Sequence, residues 1–222
     1  MTFPAGNAPA LAPGSLHLYR AVLDDHGART DGLVRLLSPE ETDRACRFRF
    51  PEHRRHYVVA HGILREILSR YLTCAPEAVR FSTGPNGKPC LCSSDPSIRF
   101  NMSHSDRLAL YAVSLDCEVG VDTEPLRTLP DAGRLMADYF PHEMNQMSRD
   151  DSDEAVSHRF LRCWTRHEAV LKLSGAGLTG GRRKGHPEYV DSFIPAAGHI
   201  AAVASARPLP DSRFIDFRSS LQ

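Results

Sequence analysis

Apolar residues recur along this chain in two periods. In "SLHLYRAVL" (15–23) they alternate at 16, 18 and, less regularly, 22, the period of a half-buried strand. "SPEETDRACRFRF" (38–50) opens with Ser38 as N-cap, Pro39 at the first helical position and Glu41 three residues after the cap, a capping-box start. A second helix is predicted over about 52–72, where Tyr57, Ala60, Leu64, Ile67, Leu68 and Tyr71 fall on one core-facing stripe. "AVRFSTGPNGKPCLC" (78–92) reads as strand, turn, strand around Gly84-Pro85-Asn86-Gly87. "IRFNMSHS" (98–105) reads as a short strand running into a polar turn, and 107–125 as two strands about Asp116-Cys117-Glu118. Helices follow at about 131–139, 141–148 and 153–173, then a Gly-rich basic loop (174–189), two closing strands in "YVDSF" and "HIAAVASA", and a polar tail. This order predicts an α+β chain with two similar subdomains, 15–120 and 121–222, behind a disordered Pro/Ala/Gly-rich leader at 1–14.

Composition narrows the setting. The 222 residues are 41% hydrophobic and 24% charged, as in a globular protein with a sizeable core. Twenty-seven basic and 27 acidic residues cancel, so no bulk charge draws the chain to nucleic acid or membrane. There is no run of about 18 apolar residues to span a bilayer and no signal-peptide pattern at the start. The six cysteines have no zinc spacing and are expected as reduced thiols in the cytoplasm.

Four short stretches carry chemistry. In "EVGVDTEP" strand alternation turns Asp122 and Glu124 to one side, with Gly120 removing bulk there. Two such acids can share a hard cation such as Mg²⁺, or they are ordinary surface acids at a strand end, the commoner case for the motif alone. In "CWTRHEAVLK" helical spacing aligns Leu161, Trp164, Glu168, Leu171 and Lys172. An acid on that half-buried stripe costs free energy unless it is paired with Lys172 or bound to a metal. Arg166 and His167 point elsewhere. "FNMSHS" offers hydroxyl, imidazole and backbone donors to an anion, and without a GxSxG elbow a Ser–His hydrolase is disfavoured. Lys88 in "GPNGKP" follows a tight turn, where it either meets a phosphate or is solvated.

The order of these stretches is more telling than any one of them. "VRFSTGPNGKPCL", "FNMSHS", "VGVDTEP" and "WTRHEAVLKLSGAGL", spread over about 38–178, resemble the 4'-phosphopantetheinyl transferases of the two-halved, surfactin-synthetase-activating type. The resemblance implies two α+β subdomains related by a pseudo-twofold, with coenzyme A between them. It implies transfer of the phosphopantetheine arm of coenzyme A to a serine of an apo acyl or peptidyl carrier protein, by a monomer, with release of 3',5'-ADP. By position it implies Mg²⁺ on Asp122, Glu124 and Glu168, with Glu168 also the base for the carrier serine. Lys172 would serve the leaving group, and Arg44, Lys88, Ser103 and His104 the phosphates of coenzyme A. Two residues depart from the pattern: His167 stands where the motif has Lys, and Glu41 stands near a position that is basic in some relatives. His167 motivates the alternative of an impaired relative that binds coenzyme A or a carrier without turnover. A different Mg²⁺-dependent phosphotransferase or hydrolase is the third reading. Arg182, Arg183 and Lys184 are either a contact for an acidic carrier or a solvated loop.

Overall fold

The computed structural model describes residues 10–84, 87–92, 97–148, 150–175, 189–208 and 211–217. The first strand, β1 (Ser15–Val22), enters a four-stranded sheet in the order β4-β5-β1-β9, with β4 (Ile98–Ser105), β5 (Leu108–Leu115) and β9 (Asp211–Asp216). β1, β5 and β4 pair antiparallel, while β9 pairs parallel with β1. A second sheet has the order β6-β8-β7, from β6 (Val119–Pro125), β7 (Tyr189–Phe193) and β8 (His199–Ser205). β2 (Phe81–Thr83) and β3 (Pro89–Leu91) form a separate hairpin.

One 22-residue helix covers each large sheet. α3 (Pro51–Leu72) buries the predicted stripe, with Ile63 and Ile67 packed against Tyr19, Ala21, Tyr111 and Val113. It ends at Thr73 in the left-handed conformation. The other face of the first sheet, Leu16, Leu18, Leu108 and Leu110, meets Val119, Val121, Ala201 and Val203 of the second. On the far side of the second sheet lies α6 (Asp153–Ser174), whose Ala169, Val170 and Leu173 pack on Ala202 and Ala204. The layers therefore run helix, sheet, sheet, helix. The short α1 (Thr30–Val34) and α2 (Pro39–Cys46) pack on α3, and α4 (Ala132–Tyr139) with α5 (Pro141–Met144) flanks α6.

The capping box forms as the sequence predicts: Glu41 N–H donates to Ser38 Oγ at 3.3 Å and Ser38 N–H to Glu41 Oε2 at 2.8 Å. Three expectations change. "FNMSHS" is strand throughout, and the turn waits for Asp106, at φ 53°. α5 is a single turn. The polar tail contains β9, which crosses back to the first sheet and buries Ile215 and Phe217 in its core. A boundary at residue 121 falls inside β6.

Candidate active site

β4 and β6 are edge strands of different sheets, and side chains rather than backbone join them. Asn101 Oδ1 accepts from Val121 N–H at 2.9 Å, Ser103 Oγ donates to Asp122 Oδ1 at 2.9 Å, and Ser105 Oγ donates to Glu124 Oε2 at 3.2 Å. Alternation makes this possible: 101, 103 and 105 share one face of β4, as 120, 122 and 124 share one face of β6. Onto that same face of β6 the helix α6 is laid at backbone contact. A Cβ on Gly120 would stand 2.0 Å from Ala169 O and 2.4 Å from Leu173 N. The close approach brings Lys172 over Asp122. Its Nζ donates to Asp122 Oδ1 at 2.6 Å and to Ser103 Oγ at 2.9 Å, leaving one N–H of the ammonium without a partner among the described residues.

The charges here are incompletely matched. Asp122 is buried, and its Oδ2 has no hydrogen-bond partner. Glu168 Oε1 is likewise buried and unpartnered. Burial raises the Glu168 carboxyl above its ordinary value, and the Asp122 charge adds to this; Lys172 and His167 pull the other way. Glu124 is better compensated, by Ser105 and by Arg127 at 3.4 Å. Buried carboxylate oxygens left unpaired cost free energy of about 1–3 kcal/mol each, more for a charged group, so their survival side by side fits a site for a cation. The three acids are not drawn into a tight cluster. Among the described residues the only group of three His/Cys/Asp/Glu side chains within 4.8 Å of one another is Asp24, Glu52 and His56, at the start of α3. That group is explained internally, since His56 Nε2 and Arg55 both bond Asp24.

Beyond β4 opens a cleft of about 830 Å³, walled by α2, α3 and the β2–β3 hairpin. Arg44 lines it, its guanidinium 5.6 Å above the Tyr57 ring, and Tyr57 stacks on His61 at 4.0 Å. His104 belongs to the opposite face of β4 from Ser103. Its imidazole is held at a pKa of about 4, by desolvation first and then by the neighbouring His61, Lys172, His56 and Arg44. At neutral pH it is therefore an uncharged ring. Glu41 faces the same cleft without making it acidic: Arg65 Nη2 at 2.7 Å and His61 at 3.2 Å take up its charge. Burial alone would raise Glu41, but bonds from His61 and Ser38 N–H and the Arg65 charge outweigh it and hold it at about 2. Lys88 is separate from this group. Its ammonium donates to Glu118, Leu173 O and Val119 O.

On the outer side of α6 lies a groove of about 990 Å³. Its apolar floor includes Tyr139, Phe140 and Ile194, and Arg159, Arg162 and Arg166 line it along the helix, against the single acid Glu143. His167 turns into this groove, its ring 6.0 Å from Phe140 and 6.2 Å from Trp164, and not toward the acids.

The sequence-predicted residues thus fall into three groups. Asp122, Glu124, Glu168, Lys172 and Ser103 converge at the seam. Arg44 lines the cleft beside it, His104 stands on the face of β4 opposite Ser103, and Lys88 is bound elsewhere. Asn101 and Ser105 lie in the stretch the sequence marks, but the sequence gives them no role at the acids, although their spacing of two from Ser103 matches that of the acids they serve. Arg182, Arg183 and Lys184 lie outside the described residues.

Comparisons with known proteins give this arrangement a family. Residues 27–116 match the family profile described as 4'-phosphopantetheinyl transferase, N-terminal, and residues 118–192 that of the 4'-phosphopantetheinyl transferase superfamily. The chain is 39% identical over 170 residues to the 4'-phosphopantetheinyl transferase HetI of Nostoc, covering 76% of this chain and 72% of that protein. It is 31% identical over 161 residues to the transferase psf-1 of Bacillus pumilus, covering 72% and 67%, and 29% identical over 144 residues to Sfp of Bacillus subtilis, covering 64% and 62%.

Proposed function

Since the chain belongs to the 4'-phosphopantetheinyl transferase superfamily, we propose that it transfers the phosphopantetheine arm of coenzyme A to a serine hydroxyl of an apo carrier protein. In this reaction the serine Oγ forms a bond to the phosphorus bearing the pantetheine arm. The pyrophosphate P–O bond breaks and 3',5'-ADP leaves. The observation that carries the reading at this chain's own residues is the seam, where Lys172, Asp122 and Ser103 are mutually bonded and Glu168 stands beside them with an unpaired buried oxygen.

The roles follow from chemistry. Asp122, Glu124 and Glu168 are the residues that would hold Mg²⁺, and the orphaned Asp122 Oδ2 and Glu168 Oε1 fit such an ion. When bound, it would neutralise pyrophosphate oxygens. Glu168, with its raised proton affinity, accepts the serine proton more readily than an ordinary carboxylate. Lys172 keeps one N–H for the departing phosphate oxygen while the other two hold it against Asp122 and Ser103. Arg44 lines a cleft large enough for the nucleotide end of coenzyme A, and neutral His104 stands on the adjoining β4, with the coenzyme running from there to the seam between the halves. The arginine-lined groove, one helix face from Glu168, suits an acidic carrier.

Turnover is the better reading against a binding-only relative. The departure that motivated the alternative, His167, lies off the catalytic face, and the acids and Lys172 are assembled. The direct test is release of 3',5'-ADP on mixing the protein with coenzyme A, Mg²⁺ and an apo carrier. Release that needs all three supports transfer. Release without the carrier would instead indicate a hydrolase.

A further inference from the structure

We propose that Lys88 is a positioning residue that ties the β2–β3 hairpin to the last turn of α6 and thereby sets Lys172 and Glu168 over Asp122. An ammonium has three N–H donors, and all three of Lys88 are spent: on Glu118 Oε2 at 2.6 Å, Leu173 O at 2.9 Å and Val119 O at 3.4 Å. None remains for a phosphate. The side chain is only 12% exposed, so this is a packed arrangement and not a swinging surface lysine.

Each partner has a structural reason to hold a cation. Leu173 belongs to the last turn of α6, whose carbonyls the helix leaves without onward partners and whose dipole end is negative. Val119 O belongs to the first residue of β6, next to the Gly120 that touches Leu173 N. Glu118 carries a second bridge through its other oxygen, to Arg99 Nε of β4 at 2.7 Å. Lys88 therefore joins the hairpin, β4, β6 and α6 within one network. The hairpin is itself rigid where Lys88 leaves it, since Gly84 N–H donates to Lys88 O at 2.8 Å. The turn so anchored carries Lys172 one residue before Leu173, and Glu168 one turn earlier.

The inference rests on the transferase reading for its effect on rate but not for its effect on structure, and the test separates the two. Amide hydrogen exchange is measured on the wild type, Lys88→Met, Lys88→Arg and Glu118→Ala, together with affinity for 3',5'-ADP. Lys88→Met is expected to speed exchange of residues 171–175 by about tenfold or more, as a loosened local unit does. Glu118→Ala should reproduce part of this, with the double variant less than additive, and Lys88→Arg should restore protection. Affinity for 3',5'-ADP should change by less than about threefold, and in the transfer assay kcat should fall more than KM for coenzyme A rises. Unchanged exchange in 171–175 for both Lys88→Met and Glu118→Ala would overturn the proposal. So would a tenfold loss of 3',5'-ADP affinity in Lys88→Met with Glu118→Ala silent. If the wild type transfers nothing, the functional reading fails while the exchange data still decide the role of Lys88.

Discussion

Glu168 and Glu41 are two acids on apolar ground with opposite solutions. Glu168 is left short of partners: its Oε1 is orphaned and burial favours its protonated form. Removing that charge should relieve the apo protein, so Glu168→Gln is expected to gain about 1 kcal/mol in stability while losing about 100-fold or more in transfer rate. Urea unfolding and the transfer assay check both halves, and a variant both less stable and equally active would contradict the assignment. Glu41 is over-provided, with Ser38, His61 and the buried Arg65 around it. Its pKa of about 2 lies below the ordinary 4.5, so the pair stabilises the fold fully above pH 4.5 and the contribution is lost as pH falls toward 2. Glu41→Gln strands the Arg65 guanidinium and should cost about 3 kcal/mol at pH 7. The gap from wild type should shrink below pH 4.5 in an unfolding series across pH.

At the level of elements, the site exists because a glycine lets α6 meet β6 at backbone distance while side chains of β4 reach across to β6. Gly120→Ala must push α6 off β6, since the new Cβ meets main-chain atoms that have no rotamer to change. We expect a loss of about 3 kcal/mol and a fall in kcat with coenzyme A affinity largely kept; thermal unfolding and binding of 3',5'-ADP measure the two. Much of this level was legible beforehand. The capping box around Ser38, the stripe of α3, and the common side of Gly120, Asp122 and Glu124 follow from local spacing. The same spacing put Glu168 and Lys172 on one helical face. What local spacing does not encode is which distant strand answers those acids. Ser103 and Ser105 read as a turn because the stretch is polar, yet it is polar because it faces a second sheet. Lys88 reads from its turn as either a phosphate contact or a solvated lysine, and only the packing of α6 reveals its three acceptors.

At the scale of the whole molecule, the two sheets share a buried interface and the chain's last described strand returns to the first. β9 escaped the sequence reading because parallel pairing leaves no hairpin signal and its apolar run is short. Truncation after residue 208 removes Ile215 and Phe217 from the core, at about 1.5–3 kcal/mol each, and uncovers the edge of β1. A drop of about 4 kcal/mol by urea unfolding is expected, with the seam residues untouched. Two halves joined in this way give a cleft on one side of β4 and acids on the other, the arrangement a group transfer between a nucleotide carrier and a protein requires. The most direct test is the intact mass of an apo carrier protein after incubation with this protein, coenzyme A and Mg²⁺. The account predicts a gain of one phosphopantetheine arm, absent when the carrier serine is replaced by alanine and absent with Asp122→Ala. A folded protein that binds coenzyme A yet adds no mass to any of a panel of fatty acid, polyketide and peptide carriers would contradict it.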